Sequence, residues 1–250
     1  MTRYLFADCR FELADETAGR RLYEAGHVPG AVFFDLDRDL SDRSVPTEVG
    51  GRHPLPTAPA FARQAAELGV GKDVHVVAYD QGMAGGAARL AWMLHALGHD
   101  RCAILDGGMA AWWGPLARGS ESAPPGDLVG AEWSVGMLAS TAELRDRLGD
   151  PGLTLIDARA PERFRGEVEP IDPVAGHIPG ALNVPFASAD LPQDVLEADD
   201  LVVYCGSGVS ACVVLARLAA AGRPAARLYP GSWSEWSRRG LPVERGETAR

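Results

Sequence analysis

Two hydrophobic periods alternate along this chain. Val74-His75-Val76-Val77-Ala78-Tyr79 and Leu201-Val202-Val203-Tyr204 are short, apolar and rich in β-branched residues, which predicts buried strands. Residues Thr57–Leu68, Ala84–Leu97, Thr141–Leu148 and Ser210–Ala221 carry apolar positions at helical spacing. Strands alternating with helices predict an α/β fold whose sheets are mainly parallel and flanked by helices. Ligands in such sheets bind beyond the carboxyl ends of the strands.

The pattern occurs twice. His27-Val28-Pro29-Gly30-Ala31 returns as His177-Ile178-Pro179-Gly180-Ala181. Asp8-Cys9-Arg10 precedes the first copy by 19 residues, and Asp157-Ala158-Arg159 precedes the second by 20. After each copy come an apolar strand, a Gly-rich loop, a helix, and then a further strand ending in Gly-x-x-x-x-Trp, at Gly107–Trp112 and Gly231–Trp236. Landmarks kept in this order predict two tandem copies of one α/β domain, at 1–118 and 140–250. The Pro-, Gly- and Ser-rich stretch beginning at Gly119 supplies a linker over 119–139. His27 to Asp80 spans 53 residues but His177 to Cys205 only 28, so the first copy holds an extra polar loop, roughly residues 39–59. Loops of that length are commonly functional or disordered.

The copies diverge at one chemically decisive position. In the second, Cys205 follows the strand and opens Cys205-Gly206-Ser207-Gly208-Val209-Ser210-Ala211. A tight glycine-containing loop entering a helix points backbone N–H groups at one spot, and the helix N-terminus adds positive potential. Such surroundings favour a thiolate, the nucleophilic form of cysteine, and stabilise a charged sulfur product. A cysteine after a buried strand is also a common small core residue. In the first copy the same position is Asp80, followed by Gln81-Gly82-Met83-Ala84-Gly85-Gly86, and a carboxylate cannot perform thiol chemistry. The first copy is therefore expected to be inactive.

Composition narrows the classes further. The 250-residue chain carries net charge −10, which argues against a nucleic-acid or anionic-membrane surface. No apolar run reaches the ~18 residues of a membrane span, and Met1–Asp8 lacks the apolar core of a signal peptide, so a cytoplasmic protein is expected. The four cysteines (Cys9, Cys102, Cys205 and Cys212) have neither disulfide-framework nor zinc-site spacing. Reduced thiols fit best.

Taken together, the tandem repeat, the paired His-x-Pro-Gly-Ala motifs, Asp157-Ala158-Arg159, Gly107-Gly108 before Trp112, Gly231-Ser232-Trp233-Ser234-Glu235-Trp236 and the Cys205 loop resemble the two-domain rhodanese-type sulfurtransferases. The resemblance covers essentially the whole chain. It implies that Cys205 takes sulfane sulfur from a small anionic donor as a persulfide and passes it to a thiol, cyanide or a protein such as a thioredoxin-like acceptor. Gly206, Ser207, Gly208, Val209, Ser210 and Ala211 would cradle the charged sulfur, as an oxyanion hole does oxygen. No metal or organic cofactor is implied. A cysteine phosphatase needs an arginine six residues after the cysteine to clamp phosphate; Ala211 stands there, and that reading is rejected.

Within the family, an uncharged Cys-Gly-Ser-Gly loop goes with 3-mercaptopyruvate, and two basic residues in the loop go with thiosulfate. Arg163 matches the family arginine that holds the donor's carboxylate. The second arginine of mercaptopyruvate enzymes has no counterpart in Glu169-Pro170-Ile171-Asp172, a stretch about two residues shorter than in those enzymes. Arg165 and Arg52 are possible substitutes, and the gap keeps thiosulfate as an alternative donor. The resemblance also implies a relay of Ser207, His53 and Asp37, in which His53 carries a proton to the leaving enolate; a plain polar loop residue is the other reading of His53. His27 and His177 are expected to fix turns, and Trp233 and Trp236 to pack beneath the active loop. A persulfide carrier and a non-catalytic binding module are the other functional classes.

Overall fold

The computed structural model describes residues 3–82 and 85–247, so Met83 and Ala84, in the expected first-copy loop and at the start of its helix, lie outside the described residues. The chain divides into two compact units. One comprises the residues up to Asp42 together with Leu55–Ser134; the other comprises Arg43–Pro54 and the chain from Val135 onward.

The first copy contributes strands β1 (Arg3–Asp8), β2 (Val32–Phe33), β3 (Val74–Tyr79) and β4 (Cys102–Ile104), all parallel, in the order β2-β1-β3-β4. Its helices are α1 (Ala18–Ala25), α2 (Thr47–Gly50), α3 (Ala58–Glu67) and α4 (Gly86–Ala96); α2 belongs to the second compact unit. The second copy repeats the plan. Strands β5 (Leu153–Asp157), β6 (Leu182–Asn183), β7 (Asp200–Tyr204) and β8 (Arg227–Leu228) lie parallel in the order β6-β5-β7-β8. Helices α5 (Thr141–Asp146), α6 (Pro161–Phe164), α7 (Gln193–Glu197), α8 (Ala211–Ala220) and α9 (Ser232–Arg238) accompany them. Even the register repeats, with Asp8 opposite Tyr79 and Asp157 opposite Tyr204. Among the described residues no helix is long and apolar enough to cross a membrane.

The repeated motifs are braces at the strand ends. Arg10 bonds Asp8 at 2.6 Å and the Gly26 carbonyl at 2.7 Å; Arg159 bonds Asp157 at 2.6 Å and the Gly176 carbonyl at 2.6 Å. Nδ1 of His27 lies 2.8 Å from the Tyr23 carbonyl, and Nδ1 of His177 lies 2.8 Å from that of Phe164. Both rings are wholly buried and stacked on an aromatic neighbour, Tyr23 and Phe164 respectively. These are the turn-fixing roles the sequence suggests.

The Gly-x-x-x-x-Trp segments differ from one another. Gly107 takes φ 72 and leads into a short 3-10 turn, Gly108–Ala111, whereas Gly231 precedes α9. Trp233 and Trp236 on α9 are completely buried, in a core with Leu144, Leu155, Phe164, Ile178 and Tyr204. Truncating either would cost about 3–5 kcal/mol. That core fixes α9, and α9 holds the loop that follows β7.

Candidate active site

Cys205 is the first residue beyond β7 and is 1% exposed. The Gly208 N–H donates to its Sγ at 3.1 Å. Gly208 has φ 75, a conformation that favours glycine and turns its amide back toward the sulfur. The loop backbone is tied to α9 at three points. The Cys205 N–H donates to Ser232 Oγ (3.1 Å), the Cys205 carbonyl accepts from Trp233 N–H (2.9 Å), and the Gly206 carbonyl accepts from Ser234 N–H (3.0 Å). Gly206, Ser207, Gly208, Val209 and Ala211 are buried and Ser210 is half-buried, with α8 beginning at Ala211. Trp233 donates its indole N–H to the Val174 carbonyl and carries the Arg159 guanidinium 4.7 Å above its ring, so it packs below the loop.

The first copy shows what this loop shape does with a fixed anion. Asp80 occupies the cysteine position, and its carboxylate accepts from the N–H groups of Gly82 (2.8 Å), Gly85 (3.0 Å) and Ala87 (3.3 Å). These amides lie two, five and seven residues beyond the aspartate, and α4 begins six residues beyond it, as α8 does beyond Cys205. The amides of such a loop converge on negative charge.

Two further features surround the thiol. Ser207 Oγ and His53 Nδ1 are 2.8 Å apart, and both residues are buried. The hydroxyl donates when Nδ1 is the unprotonated ring nitrogen. The expected serine–histidine pair is therefore formed, from residues 154 apart in sequence. Asp37 lies in the first compact unit, half-buried, its backbone N–H donating to Asp35 Oδ1 at 2.9 Å. Arg163, at the end of α6, donates to Glu169 Oε1 at 2.6 Å and lies 3.5 Å from Asp172 Oδ2. Arg52 pairs with Asp172 Oδ1. Arg165 turns instead to Glu167 and Glu247 and is no part of this group.

Glu169 and Asp172 stand in the sequence only as the place where an arginine is missing. In the structure they organise the basic residues. Burial works against ionisation of Glu169, but the Arg163 hydrogen bond and the N–H groups of Asp172 and Ile171 outweigh it and hold the carboxyl below its ordinary range. The available signal was two carboxylates three residues apart, shortly after an arginine.

A parallel sheet with a buried cysteine at a strand's carboxyl end, a loop amide on its sulfur and guanidinium groups beside the loop is an arrangement suited to anion-handling thiol chemistry of the sulfurtransferase class. Comparison with known proteins agrees. The family model described as "Rhodanese-like domain" matches residues 2–114 and again 140–239. A Pseudomonas aeruginosa protein named "Probable 3-mercaptopyruvate sulfurtransferase" is 48% identical over 93% of this chain and 88% of its own length. A Mycobacterium tuberculosis protein named "Putative thiosulfate sulfurtransferase SseB" is 44% identical over 92% of this chain and 86% of its own. The solved structure of the 3-mercaptopyruvate sulfurtransferase SseA from Escherichia coli superposes with TM-score 0.77 at 35% identity, covering 92% of each chain. The chain belongs to the rhodanese family, in its tandem two-domain form.

Proposed function

We propose that this protein transfers sulfur from 3-mercaptopyruvate, through a persulfide on Cys205, to a thiol, cyanide or a protein acceptor of the thioredoxin-like kind, in the cytoplasm. The Cys205 thiolate attacks the donor's sulfur; the C–S bond breaks and its electron pair leaves as the enolate of pyruvate. A proton delivered to that enolate completes pyruvate. The acceptor thiolate then attacks the outer sulfur and regenerates the Cys205 thiolate. The loop amides, Gly208 first among them, stabilise negative sulfur in both states.

The observation that carries the donor assignment is the Ser207–His53 hydrogen bond beside the thiol. An enolate is a strongly basic leaving group and needs a proton; sulfite, released from thiosulfate, departs as a stable anion without one. A proton-delivering pair is useful for the first donor and idle for the second. The relative named as a thiosulfate sulfurtransferase supports thiosulfate as a second donor.

The test compares kcat/KM for 3-mercaptopyruvate and thiosulfate with cyanide as common acceptor, in wild type, Ser207→Ala and His53→Asn. Wild type is expected to favour mercaptopyruvate. Both variants should lose about a hundredfold or more of kcat with that donor and little with thiosulfate. Equal losses with both donors would remove the proton-relay argument. Cys205→Ser should abolish transfer from either donor; retained function there would point to a binding module. Single stoichiometric sulfur loading without turnover would point to a carrier.

A further inference from the structure

Glu169-Pro170-Ile171-Asp172 places carboxylates where a second cationic donor-binding residue is expected, yet the second cation is present. It arrives from a remote stretch of sequence. A Cβ built on Gly206 would lie 2.9 Å from Arg52 Nη2, and 3.6 and 3.8 Å from Arg163 Nη1 and Nη2. Two guanidinium groups therefore converge on the glycine beside Cys205, where any side chain would intrude. Their side chains are each 17% exposed, whereas that of Arg159, the third arginine of the cluster, is 1% exposed. Only Arg52 and Arg163 of these three can meet a solute.

Asp172 links the pair. Its side chain is wholly buried, with Oδ1 on Arg52 and Oδ2 3.5 Å from Arg163 Nη2. Oδ2 has no hydrogen-bond partner at that distance and geometry, so it attracts Arg163 by charge alone. The backbone of Arg52 is equally fixed. Its N–H donates to Ser234 Oγ at 3.0 Å, and Ser234 N–H holds the Gly206 carbonyl, so one α9 serine ties Arg52 to the reactive loop. Gly51, at φ 77, lies so close that a Cβ there would come within 2.4 Å of the Gly231 carbonyl oxygen. Only glycine lets the segment approach.

We propose that Arg52 is the second donor-binding guanidinium of this protein, and that Asp172 is the positioning residue that holds Arg52 and Arg163 as a two-pronged clamp for the donor's carboxylate. This rests on the anionic-donor reading above. The clamp is preorganised, because both arginines are held before the donor arrives and little ordering is left for binding. A planar guanidinium also suits a carboxylate better than an ammonium does.

The experiment measures KM and kcat for 3-mercaptopyruvate, and inhibition by pyruvate and by the uncharged pyruvamide, in wild type, Arg52→Gln, Arg52→Lys and Asp172→Asn. Arg52→Gln is expected to raise KM and the pyruvate inhibition constant about ten- to a hundredfold, the scale of one charge-assisted contact. kcat should stay within about threefold, and the preference for pyruvate over pyruvamide should shrink in parallel. Asp172→Asn should shift the same quantities in the same direction. Unchanged KM and inhibition constants in Arg52→Gln, or a fall in kcat at constant KM, would overturn the proposal. If Arg52→Gln does not fold, Arg52→Lys decides: with a wild-type unfolding midpoint and an unchanged pyruvate-to-pyruvamide ratio it also overturns it. Failure of the donor reading looks different. Wild type would then turn over thiosulfate alone, and the carboxylate clamp is judged by the pyruvate inhibition constants of the same variants.

Discussion

The Glu169 carboxylate, 3% exposed, accepts from five donors: Arg159 Nη1, Arg163 Nε and Nη2, and the N–H groups of Ile171 and Asp172. Burial opposes its charge, and the Arg163 and backbone hydrogen bonds outweigh burial, so its folded value lies below the ordinary 4.5. The native state then binds fewer protons here than the unfolded chain. The stability Glu169 contributes is complete above the ordinary value and is lost as pH falls through the lower folded value. Glu169→Gln is therefore expected to lower the thermal unfolding midpoint at neutral pH, with the gap to wild type closing as the solution is acidified below the ordinary carboxylate range. A gap independent of pH would mean that shape, and not charge, is what Glu169 supplies. Its role was not legible in the sequence, where it stands as one acidic residue in a polar loop. Arg163 stands out in the sequence through the family resemblance of the stretch Arg159–Phe164, and the structure sets its guanidinium within 4 Å of where a side chain on Gly206 would begin.

Element packing decides how the Cys205 loop is held. Ser232 opens α9 with φ 54, the one described non-glycine residue at positive φ. Its Oγ donates to the Tyr229 carbonyl at 3.0 Å and accepts from the Cys205 N–H at 3.1 Å. Backbone strain at that residue is repaid by a side chain that satisfies two buried groups. Ser232→Ala should cost about 1–3 kcal/mol by orphaning the Cys205 amide, and should slow sulfur transfer by loosening the loop. Ser232→Gly loses the same hydrogen bonds but not the conformational fit, so denaturant titration should find it less destabilised than Ser232→Ala. The reverse order would refute the strain account. Helices α3, α4 and α8 and strands β3 and β7 fall within a few residues of their sequence boundaries, because a local period encodes each. The extra polar loop expected in the first copy, roughly residues 39–59, is divided by the fold, and its residues 43–54 join the second compact unit. The contacts responsible, such as Arg52 to Ser234 across 182 residues, leave no periodic trace.

At the scale of the whole molecule, a duplicated fold has kept its frame and divided its chemistry. Both sheets share one strand order and one Asp-x-Arg brace, and in both a loop amide meets the side chain just beyond the strand, Gly82 at Asp80 and Gly208 at Cys205. In the first copy that side chain is the Asp80 carboxylate, a permanent part of the chain; in the second it is the Cys205 thiol, which the proposed function loads with sulfur and unloads. Asp80 thus serves as a structural anion, a built-in ligand for its own cradle. An amide at this position has one acceptor oxygen and adds donors facing the N–H groups of Gly82, Gly85 and Ala87. Asp80→Asn is accordingly expected to destabilise the first unit by about 1–3 kcal/mol, the cost of leaving buried donors without partners. Sulfur-transfer kcat per folded molecule should stay unchanged, because the thiol, its loop and its arginines all belong to the second unit. Limited proteolysis would locate the loosening, with cleavage enhanced in the first unit and not around Cys205. A large fall in kcat with an intact second unit would show that the first copy contributes to the chemistry as well as to the frame.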